Sequence, residues 1–317
     1  MKILILRFSS IGDIVLTTPV LRCIKTQFPE YKLHYATKKK FEKLLISNPY
    51  IDKIHYLDKE LNTLIDELQS EKFDLIIDLH NNLRTQIIWA KLWVKRIAFD
   101  KINFEKWLYV NLKIDFLPYL HIVDRYMTTV ANIGVKNDGK GLDFFIDNNE
   151  NISTFNLPEH YAVYVIGGQY NTKKLPLNKQ IELLNSISNT VILIGGKEDT
   201  ENGELLAKKC KNVINLCGQL SINQSAMVME KSNHIYSHDT GMMHIAAALQ
   251  KPITSIWGNT TPRFGMYPYY GSSLLNETKP FVMLNEVKHL PCRPCSKIGF
   301  NKCPKGHFKC MEMQVFE

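Results

Sequence analysis

The sequence predicts an α/β protein built from two similar units in tandem. Two observations predict it. Short apolar runs alternate with helix-patterned segments along the chain, and a polar break near the middle is followed by a restart of the same alternation. Buried parallel strands read as near-continuous apolar runs, and strand–helix alternation is the signature of a parallel sheet. The 317 residues suit two domains of roughly 100–200 residues each.

The first run, KILILRF, reads as a strand. IVLTTPVLRCIKTQF follows, with apolar positions 14, 15, 20, 21, 24 and 28 on one helical face. YKLHYA, KIHYLD and FDLIIDLH read as further strands, with helix-like segments at about 38–46 and 61–70. The stretch 147–158, DNNENISTFNLP, has the polar, proline-ended composition of a linker. It divides the chain into expected domains 1–152 and 153–317. Beyond it come strands in YAVYVIGG, TVILIGG, NVINLCG, HIYSHD and PITSIWG. Helices are expected near 178–189, from about 199, and near 221–232 and 241–250.

Composition excludes several classes. Hydrophobic residues make up 45% and charged residues 22%, as in ordinary globular proteins, so neither disorder nor a fibrous repeat is the theme. Arg7 interrupts the first apolar run, which argues for a strand and against a secretory signal. No run approaches the roughly 18 apolar residues of a spanning helix. A cytoplasmic location is expected. The net charge of +8 suits nucleic acid, a membrane surface or a phosphorylated substrate. Basic and acidic residues number 22 and 19 in 1–150 and 17 and 12 afterwards. With no block of like charge, a nucleic-acid partner is not expected.

Four loops carry chemistry. In Ser237-His238-Asp239-Thr240-Gly241-Met242-Met243-His244 a strand feeds an Ala-rich helix. Free N–H groups and the dipole at a helix start favour an anion such as phosphate. Gly241 permits close approach, Thr240 caps or donates a hydroxyl, and His244 lies one turn along. The plainer reading is a capped helix with a packed histidine. Gly12-Asp13 follows the first strand; Asp13 is a candidate general base, or the loop simply caps a helix, since Ser9, Ser10 and Asp13 all suit an N-cap. The G-x-G-x-x-G spacing is absent here, which argues against a nicotinamide enzyme. Gly167-Gly168 leads to Thr172-Lys173-Lys174, where a lysine offers a point charge to phosphate. Asp78-Leu79-His80-Asn81-Asn82-Leu83-Arg84 stands where another strand gives way to a helix; its polar groups, His80 and Arg84 among them, are expected to face the same crevice as Asp13, the plainer reading being a capped helix with an exposed arginine. Lys38, at the head of a three-lysine run, is an alternative anion contact; such runs are usually solvated.

Seven cysteines are present, four of them crowded as C-x2-C-x7-C-x6-C at 292–310 with His289 and His307 nearby. The first pair matches half of a zinc ribbon, but the second is wider than such sites use. They are read as packed or redox-labile thiols, with zinc binding the open alternative, and no metal ligand is assigned.

In combination these motifs resemble the ADP-heptose:lipopolysaccharide heptosyltransferases of glycosyltransferase family 9. The matching stretches are RFSSIGDIVLTTPVLR (7–22), DLHNNLR (78–84), TKKLP (172–176), VILIGGKED (191–199), SHDTGMMHIAAALQKP (237–252) and the tail CRPCSKIGFNKCPKGHFKCM (292–311). The resemblance implies a GT-B fold, two Rossmann-like domains facing across a cleft. It implies an inverting, metal-independent transfer of heptose from ADP-heptose to a lipopolysaccharide inner-core acceptor. No cofactor is implied beyond the ADP-sugar donor. The acceptor, a phosphorylated lipid-linked glycan, implies peripheral contact with the inner membrane. Asp13 matches the base and Lys173 the lysine that stabilises the leaving diphosphate. Gly167, Thr172, Asp239, Thr240, Gly241, Met242 and His244 fall to the donor, with Asp239 holding amides or a donor hydroxyl rather than phosphate. His80, Arg84 and Lys38 fall to the acceptor. Two positions depart from the family: Leu175 replaces a usual Trp, and Asn223 replaces an acid that some members use on the donor ribose. The alternatives are another nucleotide sugar or glycan acceptor, and a non-catalytic nucleotide-sugar-binding protein, which Asp13 and Lys173 together disfavour.

Overall fold

The computed structural model describes residues 1–147, 149–271 and 282–316. They form two compact units. The first contains 1–101, 120–147 and 271; the second contains 102–119, 149–270 and 282–316. Residue 148 of the expected linker lies outside the described residues. From 149 onward that linker is tied to the second unit, with the Ser221 hydroxyl on the Glu150 carboxylate and Gln224 Nε2 on Asn151 O at 3.2 Å.

The first unit holds strands β1 (Lys2–Leu6), β2 (Lys32–Lys38), β3 (Lys53–Leu57), β4 (Leu75–Asp78) and β5 (Arg96–Ala98). All pair in parallel, in the order β3-β2-β1-β4-β5. Its helices are α1 (Ile11–Val15), α2 (Thr18–Gln27), α3 (Leu61–Ser70), α4 (Leu83–Leu92) and α6 (Ile122–Ala131). Leu4, Leu6, Ala36, Leu64, Leu68 and Ile76 pack into one buried cluster between sheet and helices.

The continuous helix expected after β1 is broken in two. The Thr17 and Thr18 hydroxyls bond back to Ile14 O and Val15 O, each at 2.7 Å, and Pro19 has no N–H to continue the ladder. The expected helix at 38–46 is a 3₁₀ segment, Lys39–Leu44.

The second unit repeats the plan with β6 (Tyr161–Val165), β7 (Thr190–Ile194), β8 (Val213–Asn215), β9 (His234–His238), β10 (Ile253–Trp257) and β11 (Val282–Glu286). Their order is β11-β10-β9-β6-β7-β8, again all parallel. The helices are α7 (Leu177–Ser186), α8 (Thr200–Lys209), α9 (Ile222–Lys231), α10 (Gly241–Ala248) and the short α11 (Lys309–Glu312). The segment 102–119, with α5 (Asn103–Leu112), belongs here although it precedes the linker. The Arg263 guanidinium forks onto Asp115 (2.8 and 3.0 Å), and Lys113 Nζ donates to Pro294 O at 2.7 Å. A single cut near residue 152 therefore does not reproduce the units.

In each sheet the strand order reverses once, between β1 and β4 in the first and between β6 and β9 in the second. Open α/β sheets bind ligands at the carboxyl ends of the strands flanking that reversal.

Candidate active site

The loops predicted from the sequence leave these four strands. In the first unit, Asp13 sits in α1, just beyond β1. Its Oδ2 accepts from Ser10 N (3.0 Å) and Ser10 Oγ (2.9 Å), and its Oδ1 lies 2.6 Å from Arg7 Nη2. Burial pushes the carboxyl upward, but Arg7 and the Ser10 bonds outweigh it and hold the pKa below the ordinary Asp value. Ser10, not Asp13, is the N-cap of α1; Asp13 sits at N3 of the capping box and is held ionised there. Arg7 is buried, yet Asp13 and two phenols raise its pKa above the ordinary value. Its Nε donates to Ser9 O at 2.7 Å and its Nη1 to Tyr126 Oη at 3.1 Å.

His80 and Arg84 leave β4 and meet the β1 side through Phe8. The His80 ring stands edge-on to Phe8 at 6.0 Å, and the Arg84 guanidinium lies over the same ring at 5.6 Å. Burial first, then Arg7, lowers the His80 pKa to about 4, so this imidazole is neutral at pH 7. Asp78 braces the loop, accepting from His80 N (3.0 Å) and Asn81 N (2.6 Å). Lys38 ends β2, at the same sheet end as these loops. Its neighbours are engaged elsewhere: Lys39 bonds Glu42 at 2.6 Å, and Lys40 lies over the Phe41 ring.

In the second unit, Lys173 closes a 3₁₀ turn, Asn171–Lys173, and Asp239 follows β9. Lys173 Nζ lies 2.7 Å from Asp239 Oδ2 and donates to Asp239 O at 3.2 Å. Thr260 Oγ1, beyond β10, donates to the same Oδ2 at 2.8 Å. Asp239 therefore orients a lysine and a hydroxyl. Thr240 occupies the N-cap of α10, and its side chain makes no capping hydrogen bond; N–H groups at such a helix start have the anion affinity described above. Met242 is half-buried and His244 buried on α10. Close packing explains the glycines. A Cβ on Gly168 would lie 3.3 Å from Thr240 Cγ2, and one on Gly167 would lie 2.7 Å from Asp199 Oδ2.

Thr172 stands apart from the donor role expected of it. It is buried, donates its hydroxyl to Phe300 O at 2.9 Å and accepts from Phe300 N at 2.8 Å, so it pins the tail. Leu175, in place of the usual Trp, packs in the core cluster and donates its N–H to His238 Nε2 at 3.0 Å. Asn223 is buried, its amide 3.5 Å from Glu150 Oε1. In the tail, Cys292 Sγ lies 3.7 Å from His307 Nε2, whereas Cys310 is buried in the core, which pushes its thiol up to about 12.

Arg7 and Thr260 were missed by sequence reasoning, whereas Ser10, one of the N-cap candidates, is the N-cap of α1. Ser10 carried a visible signal, since Ser-x-x-Asp is a capping pattern. Arg7 and Thr260 act through partners that only the fold brings near.

Residues 61–296 match the family pattern described as Glycosyltransferase family 9 (heptosyltransferase). The chain belongs to glycosyltransferase family 9. Curated relatives of this glycosyltransferase include lipopolysaccharide heptosyltransferase 1 of Escherichia coli K12, 23% identical over 304 residues, covering 86% of this chain and 92% of that protein. The lipopolysaccharide core heptosyltransferase OpsX of Haemophilus influenzae is 25% identical over 283 residues, covering 81% and 79%. Among solved structures, a family 9 glycosyl transferase from Veillonella parvula superposes with a TM-score of 0.76 at 20% identity, over 98% of this chain and 92% of that one. E. coli heptosyltransferase WaaC with ADP gives 0.67 at 21%, over 83% and 89%. The GT-B class expected from the motifs is thereby shown for the fold.

Proposed function

We propose that this family 9 enzyme moves heptose from ADP-heptose to a lipopolysaccharide inner-core acceptor, with inversion and without a metal or cofactor. One observation carries the reading: the strand reversal of one sheet holds the Asp13 carboxylate paired with Arg7, and that of the other holds a lysine beside a helix start whose N-cap side chain makes no capping bond. Asp13 takes the proton from the acceptor hydroxyl as its oxygen bonds to the anomeric carbon. The bond from that carbon to the diphosphate breaks, and its electron pair leaves with ADP. Lys173 and the N–H groups of Gly241 and Met242 face the growing charge on the leaving group, the work otherwise given to a metal. A carboxylate held ionised by Arg7 is a weak base at rest, so proton transfer comes late, when the attacking hydroxyl has become acidic.

The acceptor is proposed to be phosphorylated and lipid-linked, met by Arg84, His80 and Lys38 in a cytoplasmic enzyme peripheral to the membrane. Two solved structures of one relative support the donor: WaaC with ADP and WaaC with ADP-2-deoxy-2-fluoro heptose, which superposes with a TM-score of 0.66 at 19% identity over 94% of this chain and 96% of that one. Turnover with a panel of nucleotide sugars tests the proposal. ADP release should require acceptor, and Asp13→Ala should lower it by about 10²–10⁴-fold. A fully active Asp13→Ala removes the base assignment; activity with non-adenine donors alone removes ADP-heptose.

A further inference from the structure

We propose that the second unit carries a docking surface for an anionic phospholipid bilayer, formed by α5 and the cysteine-bearing tail. Alone among the ten-residue helices of the described residues, α5 has no buried side chain. Phe104 is 68% and Trp107 53% exposed; three residues apart, they share a helix face. The tail reaches that helix: Lys297 Nζ lies 3.3 Å from Asn103 Oδ1. Ile298, 54% exposed, and Phe300, 38% exposed, follow. Large exposed apolar groups mark an interaction site when they gather, and aromatic side chains suit the depth of lipid headgroups.

Charge identifies the occupant. From Val287 to Met311 the chain has six Lys and Arg and no Asp or Glu, and Lys297, Lys302 and Lys305 are exposed. An anionic lipid surface attracts such cations by about fivefold in affinity per residue. A second copy of the chain, docking symmetrically, would set the same cationic tail against itself. A bilayer matches both the apolar and the cationic components. The choice of lipid rests on the lipid-linked acceptor proposed above, and it specifies which face meets the membrane.

The test is co-sedimentation of the full chain with acceptor-free vesicles, phosphatidylethanolamine–phosphatidylglycerol against phosphatidylcholine. Wild type should bind the anionic vesicles preferentially, and salt should weaken binding. Phe104→Ser with Trp107→Ser should lose at least tenfold in affinity. Lys297→Gln, Lys302→Gln and Lys305→Gln together should lose about a hundredfold. Both variants should keep the wild-type melting temperature and turnover on a deacylated, water-soluble acceptor. The surface is refuted if wild type shows no anionic preference, if either variant binds like wild type, or if the aromatic pair instead holds a dimer that ignores vesicles. Vesicle binding as expected with no sugar transfer to any acceptor would overturn the functional reading and leave the surface standing.

Discussion

At the scale of single residues, the Arg7–Asp13 pair joins stability to chemistry. The folded Asp13 pKa is held below its ordinary value, so its contribution is fully present above the unfolded pKa of about 4. It is lost as pH falls through the folded value. Asp13→Asn leaves the Arg7 guanidinium buried without its anion, a loss of about 1–3 kcal/mol given the partial exposure of the carboxylate. Urea midpoints should show that difference at pH 7, and it should shrink below pH 4. Adding Arg7→Met should restore stability without restoring turnover, because it removes the stranded charge and leaves no base. Recovery of both would make Asp13 purely structural, and recovery of neither would show that Arg7 has a further role.

At the scale of elements, the loop ends of the strands set the site. Gly258, just past β10, is a place where a side chain does not fit: a Cβ there would lie 2.5 Å from Thr172 O and 2.6 Å from Met311 Cε. The methionine can move; the backbone oxygen belongs to the turn that carries Lys173. Gly258→Ala should therefore destabilise the protein by about 1–3 kcal/mol and displace that turn, weakening ADP binding by calorimetric titration more than it weakens the acceptor side. Unchanged ADP affinity in a destabilised variant would separate the turn from donor binding. Legibility in the sequence follows the same divide. The central strands and α3 were readable because burial on both faces, or on one stripe, writes its own period; the short or exposed edge strands β5 and β11 carry no such signal and were not read. The break between α1 and α2 was not, since Thr17 and Thr18 read as ordinary helix positions until their hydroxyls are seen to bond backward. Asp13, Lys173 and Asp239 were readable as polar residues at strand ends; that Asp239 would hold Lys173 and Thr260 was not, because those partners lie far along the chain.

At the scale of the whole molecule, assembly depends on contacts that a linear reading cannot supply: Asp115 and Arg263 are 148 positions apart, and their fork fastens 102–119 to the second unit. Acid response is a property of the same scale, because both units bury neutral imidazoles. Burial, then His55, lowers the His34 pKa to about 4. Burial, then Arg7, does the same for His80. Burial, then Lys174, lowers the His238 pKa to about 3. In the unfolded chain each titrates near 6.5. Above that pH neither state is protonated and these groups leave stability flat. Between about 6.5 and 4 the unfolded chain takes up protons that the folded chain refuses, so stability falls as pH falls. The slope is at most about 1.4 kcal/mol per pH unit for each histidine, and less for the partly exposed His80. Measurement at pH 7, 6 and 5 stays above the ordinary carboxylate values of about 4, so the decline over that range reports chiefly the histidines. Urea unfolding at pH 7, 6 and 5 should show the decline, and His238→Gln should flatten it by about one proton while costing stability at pH 7, where Leu175 N and Tyr164 Oη lose their shared partner. A variant that declines as steeply as wild type would mean that His238 already carries its proton in the folded protein.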